Sequence, residues 1–167
     1  MGIQLVSETQ PYNYLAAPRL VRTKKFLIGL AKGAEILDSK FLDACLDNGE
    51  QADPQEFILK DRENEKKFEV ALKDAVARAR QSPGKLLRHV PIYCTADIKN
   101  GIESYQAIAE ANGATFKIYR ARSGTTIKPT TAEQDGGGPP DPVYLLSANS
   151  ASEKALWPRF EKMAREG

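Results

Sequence analysis

The sequence is poor in the side chains from which catalytic and metal sites are usually built. His89 is the only histidine in 167 residues, so zinc sites and histidine-based triads have almost nothing to be assembled from. The two cysteines, Cys45 and Cys94, lie in apolar patterns without a CxxC spacing. They read as buried free thiols of a reducing compartment. No apolar run approaches the roughly 20 residues of a membrane helix, and the N-terminal stretch lacks the layout of a signal peptide. No glycine-rich turn follows a strand and opens a helix, as a nucleotide-binding enzyme would require. Neither sign of charge dominates: 24 basic against 22 acidic residues leave a net +2, too little for wholesale nucleic-acid binding. A small doubly wound α/β enzyme would also need an acid–base constellation that this composition does not supply. The reading is therefore a non-enzyme with no catalytic residue, metal ligand or cofactor.

What is present is a rhythm. Tyr14-Leu15-Ala16-Ala17 reads as a short strand stopped by Pro18, which has no N–H to continue a ladder. After Arg22-Thr23-Lys24-Lys25, the apolar residues Phe26, Leu27, Leu30 and Ala31 form a buried helical stripe. Thr23 fits the N-cap and Gly33 the left-handed exit. Glu35-Ile36-Leu37 reads as a second strand. A second helix follows, capped by Asp38 or Ser39, carrying Phe41, Leu42, Cys45 and Leu46, and ended by Asn48-Gly49. Strand, helix, strand, helix with short joints predicts a parallel sheet and an α/β fold. The first turn of the first helix is electrostatically inverted. Helix N-termini favour anions, so Arg22, Lys24 and Lys25 oppose the macrodipole unless an anion sits among them.

Ahead of this stretch, Ile3, Leu5 and Val6 read as a brief strand. Beyond it, residues 61–84 read as one long helix, apolar at Phe68, Val70, Leu72 and Val76 and densely charged elsewhere, connecting two units. A second cycle then begins: strand Val90-Pro91-Ile92-Tyr93-Cys94, a helix from Asn100 or Gly101 to Asn112-Gly113, and strand Thr115-Phe116-Lys117-Ile118-Tyr119. Residues 120–142, with Arg120, Arg122 and Gly136-Gly137-Gly138, read as a long loop without an assigned role. Strand Val143-Tyr144-Leu145-Leu146-Ser147 follows. A helix over 152–165 comes last, capped by Asn149 or Ser150, with Leu156, Trp157, Phe160 and Met163 inward. Tyr14-Leu15-Ala16-Ala17 corresponds to Tyr144-Leu145-Leu146-Ser147, and the two following helices correspond. The chain reads as a tandem of one domain type, with the first cycle lacking its opening half and the second its close.

These runs, from Tyr14 to Pro18, from Arg22 to Leu27 and from Glu35 to Leu46, resemble a tandem BRCT repeat. With Lys66-Lys67-Phe68 and Tyr93-Cys94-Thr95, they resemble more narrowly the C-terminal BRCT pair of the fungal regulators of Ty transposition, which are DNA-damage scaffold proteins. The resemblance implies two repeats, 1–60 and 85–167, each a small parallel sheet flanked by helices and each incomplete, joined by a linker helix over 61–84. It further implies a nuclear phosphopeptide-binding scaffold whose ligand is the phosphorylated C-terminal tail of a core histone. Other DNA-repair proteins are expected as partners, and neither membrane nor specific nucleic-acid sequences are. Lys25 falls where the family grips the phosphate, Thr23 supports it, and Arg22 falls where a peptide backbone or terminal carboxylate is met. A Ser/Thr hydroxyl and a glycine N–H that complete the family's pocket belong to a segment ahead of residue 3, so half a pocket is expected here. Apolar surface is correspondingly expected to be exposed around Leu145, Leu156 and Phe160. The alternative is a docking or dimerisation module independent of phosphate.

Overall fold

A computed structural model of the chain describes residues 3–8, 10–99, 101–120 and 142–166. Asn100, Arg122, Gly136-Gly137-Gly138 and the interior of the expected 120–142 loop lie outside the described residues. The chain divides into two compact units, Met1–Leu86 and Leu87–Gly167.

In the first unit, strand β1 (Tyr14–Ala17) pairs in parallel with β2 (Glu35–Asp38), Tyr14 opposite Glu35 and Ala17 opposite Asp38. Helix α1 (Lys24–Ala31) makes the crossover, as a parallel connection requires. Strand side chains alternate between faces, and β2 uses both. Ile36 packs with Phe26 of α1, whereas Leu37 packs with Phe41 and Cys45 of α2 (Lys40–Asn48). The second unit repeats the plan: β3 (Pro91–Cys94) lies between β4 (Thr115–Ile118) and β5 (Tyr144–Leu146), all parallel. Ile92 packs with Ala109 of α5 (Ile102–Ala111), and Tyr93 packs with Phe160 of α7 (Trp157–Glu166). Burying each such side chain contributes about 1.5–3 kcal/mol.

Five expectations from the sequence are corrected. The stretch at Ile3, Leu5 and Val6 is not a strand. No partner strand meets it among the described residues, and Leu5 is 85% exposed. The long helix over 61–84 is two helices, α3 (Arg62–Phe68) and α4 (Leu72–Gln81). Glu69 turns left-handed between them (φ 52°), Val70 joins the core beside Phe68, and the Glu65 carboxylate accepts from the Leu72 N–H at 2.7 Å. Helix α4 packs its Leu72 and Val76 into the same core as Phe26, inside the first unit. The last helix is also split, into α6 (Ala151–Lys154) and α7, because the Pro158 ring would clash with the carbonyl of Lys154 in a continuous helix. Trp157, expected inward, is 37% exposed. Finally, Phe160 is buried between Tyr93 and Tyr119, with Leu145 and Leu156 packed against that cluster.

Gly33 ends α1 at φ +74°. There Arg80 of α4 donates to the Gly33 carbonyl at 3.2 Å and pairs with Glu35 at 2.6 Å. A Cβ on Gly33 would lie 3.1 Å from the Arg80 Cα, whereas one on Gly49 (φ +70°) would meet nothing within 4 Å. Both alanine substitutions carry the left-handed penalty of about 1–2 kcal/mol, and only Gly33→Ala also pushes α4 away. Urea denaturation should show Gly33→Ala losing more stability than Gly49→Ala. Equal losses would contradict this docking of α4.

Candidate functional site

The segment between β1 and α1 is tied down at Leu20. Its side chain is buried and its N–H donates to Asp61 Oδ2 at 2.9 Å. Asp61 also caps α3 through the Asn64 N–H and receives the Asn64 side-chain amide at 2.7 Å. These bonds, the Asn64 side chain first and then the Leu20 N–H, hold the Asp61 carboxyl below its usual range. The chain then presents Arg22, whose guanidinium carbon stands 5.9 Å from the centre of the Phe68 ring. The Lys67 ammonium stands 5.5 Å from the same centre. Neither cation has a carboxylate partner among the described residues. Two like charges therefore converge on one aromatic ring beside the start of α1, held by cation–π attraction.

Thr23 takes the extended cap conformation (φ −79°, ψ 156°), and its hydroxyl oxygen accepts from the Phe26 N–H at 3.4 Å. Its O–H is still available to donate, since a hydroxyl does both. Phe26 is buried, which turns the neighbouring lysines outward; Lys25 is exposed. The backbone N–H groups of Lys24 and Lys25 find no acceptor among the described residues, and no acidic residue lies in the first turn. Arg22, Thr23 and Lys25 are thus brought together at one helix start.

The anion demanded by this charge arrangement is partly supplied from within. Glu8 pairs with Lys24 at 2.8 Å. The hydrogen bond from Lys24 above all, then the charges of Lys24, Lys25 and Lys32, hold its carboxyl below the usual range. Nothing in the sequence marks Glu8, since its partner lies in another element. Lys67 and Phe68 were read as part of one continuous helix, and their approach to Arg22 was not visible.

The second unit repeats the construction with opposite chemistry. Ser150 caps α6 in nearly the same conformation as Thr23 (φ −82°, ψ 156°) and accepts from the Glu153 N–H at 3.4 Å. Three residues after the cap, where the first unit has Phe26, stands Glu153, only 2% exposed. It accepts from the Thr95 hydroxyl, the Ala148 N–H and, at 3.0 Å, the Asp97 N–H. Burial pushes its carboxyl up, but these bonds outweigh burial and hold it below its usual value of 4.5. One carboxylate thereby fastens the loop after β3 to the loop after β5. Among the described residues no group of three or more His, Cys, Asp or Glu could hold a metal ion, and no helix is long and apolar enough to cross a membrane.

Comparison with known proteins agrees with this architecture. Residues 1–59 match the model of the Regulator of Ty1 transposition protein 107 BRCT domain. The chain is 26% identical over 165 residues to BRCT-containing protein 1 of Schizosaccharomyces pombe, covering 96% of this chain and 18% of that protein. It is 31% identical over 123 residues to Mediator of DNA damage checkpoint protein 1 of Homo sapiens, covering 74% of this chain and 6% of that protein. The chain thus spans less than a fifth of these relatives. Among solved structures, the BRCT5-BRCT6 domains of S. pombe Brc1 superpose with a TM-score of 0.67 at 21% identity, over 93% of this chain and 69% of that one. Rtt107p in complex with a phosphorylated histone gives 0.63 at 19% identity, over 97% and 64%. The chain has the BRCT-like α/β fold, its small parallel sheets flanked by helices, and it is similar in sequence to BRCT-containing protein 1 and, over residues 1–59, to the Rtt107 BRCT domain.

The Glu153 geometry predicts a pH signature. A folded carboxyl held below its unfolded value stabilises above that value, and the gain is lost as pH falls through the folded value. The second unit should weaken as pH drops below about 4.5. Glu153→Gln should cost about 2–3 kcal/mol at neutral pH and remove this carboxyl's share of the acid slope. Urea titrations from neutral to strongly acidic pH would read both. An unchanged slope would contradict the assignment.

Proposed function

We propose that this chain is a non-catalytic, nuclear scaffold module of the DNA-damage response that binds a phosphoserine C-terminal tail. A phosphorylated core histone is the model ligand, and BRCT repeats at 1–60 and 85–167 flank the segment 61–84. The single observation that carries the reading is the cation-bearing, hydroxyl-capped start of α1, where two N–H groups lack an acceptor among the described residues. A phosphate brings about −1.5 to −2 charges and three acceptor oxygens, matching those donors and Lys25 together. In this reading Lys25 grips the phosphate and Thr23 donates its O–H while its oxygen keeps the helix capped. Arg22, with its planar fork, takes the tail's backbone or terminal carboxylate beside Lys67 on the Phe68 ring. The resemblance in fold to Rtt107p, whose complex contains a phosphorylated histone, and the relatedness to a mediator of the DNA damage checkpoint support it. Other DNA-repair proteins are the expected partners, rather than membranes or specific nucleic-acid sequences.

The test is binding of a fluorescent tail peptide, phosphorylated and not, by anisotropy. Lys25→Met should weaken the phosphorylated peptide at least about tenfold, the loss of a hydrogen bond to a charged group, and leave the unfolding midpoint nearly unchanged because Lys25 is exposed. Equal binding of both peptides would instead favour phosphate-independent docking, and a large drop in stability would mark Lys25 as structural.

A further inference from the structure

We propose that Glu8 is a built-in competitor for the ligand of the first unit, an intramolecular carboxylate that occupies Lys24 until a phosphate displaces it. The inference rests on reading the start of α1 as a phosphate receptor. Glu8 is carried by the segment ahead of β1, in an element separate from its partner, yet its carboxylate lies 2.8 Å from the Lys24 ammonium. The segment is anchored independently of that contact. Lys32, at the far end of α1, donates to the Glu8 carbonyl at 2.7 Å and stands 5.2 Å from the centre of the Tyr12 ring. The Gln10 N–H donates to the Ser7 carbonyl at 3.1 Å.

These anchors hold the Glu8 backbone, so releasing Lys24 requires only a side-chain rotation. A dianion arriving at Lys25 comes within the field of the resident carboxylate, because Glu8 is held on the adjoining Lys24 in the same first turn of α1. Like charges repel, so binding proceeds by exchange. Glu8 turns out to solvent, and Lys24 is freed to join Lys25 on the phosphate. The resident pair is partly exposed, 39% at Lys24 and 28% at Glu8, so it is weak and readily exchanged. Glu8 therefore attenuates the site without blocking it.

A double-mutant cycle tests this with a phosphoserine tail peptide by anisotropy. Glu8→Gln in the otherwise unaltered chain should tighten binding about two- to fivefold, the factor an exposed ion pair can exert. The same change in a Lys24→Met background should have almost no effect, because no pair is left to break. Equal tightening in both backgrounds would reduce Glu8 to general charge repulsion. Weaker binding in Glu8→Gln would make it a positioning residue for Lys24. Either result overturns the proposal. Phosphopeptide binding with no response to Glu8→Gln removes the competitor role alone, whereas no phosphate-dependent binding by any variant overturns both this role and the receptor reading.

Discussion

The first N–H groups of a helix need an acceptor that the helix itself cannot provide, and this requirement shapes both units of the chain. Each places a short parallel strand, a turn and a hydroxyl-capped helix in succession, with cap torsions that differ by only a few degrees. In the second unit a buried carboxylate, Glu153, enters that region and takes donors from two loops and Thr95. In the first, the equivalent position is Phe26, which goes to the core, and the outward residues are lysines. The first unit therefore gathers cations and no acidic residue in the first turn of α1, where the second places a buried carboxylate in that of α6. That asymmetry makes one helix start a receptor candidate and the other a structural joint.

The supporting architecture follows from strands buried on both faces. Ile36 and Leu37, and Ile92 and Tyr93, send consecutive side chains into different clusters. The position of α1 is thus fixed from below by β2 and from the side by α4, through Leu72, Val76 and the Arg80 contacts. Asp61 completes the frame, since one carboxylate both starts α3 and holds the turn leading to Arg22. A site of exposed charged side chains gains its geometry from such anchored backbone.

Much of this was legible in the sequence, and the reasons for the rest are physical. The elements from Tyr14 to Gly49, the cap at Thr23 and the left-handed Gly33 follow from local pattern and turn chemistry. So does the correspondence of the two cycles. The breaks did not. Pro158 was readable as a breaker, but its effect falls four residues upstream, and Glu69 adopts a left-handed conformation that its residue type does not announce. Trp157 was placed inward by helical spacing, yet it packs into no core cluster and instead donates its ring N–H to Ser147 at 2.7 Å. Of the site, the cationic helix start was legible from local pattern, whereas the choice of Arg22, Thr23 and Lys25 within it came from the family resemblance. Glu8, Lys67 and Phe68 could not be named, since tertiary packing alone brings them to it.

The central claim is that an added phosphate seats at the start of α1 and nowhere else in the described chain. Amide chemical shifts of the isotopically labelled chain, followed during titration with a phosphoserine tail peptide and its unphosphorylated twin, test it most directly. The account requires phosphate-dependent shifts at Thr23, Lys24, Lys25 and Phe26, with Ala148 and Glu153 unmoved. Identical shifts with both peptides, or phosphate-dependent shifts centred on Ala148 and Glu153 instead, would contradict it.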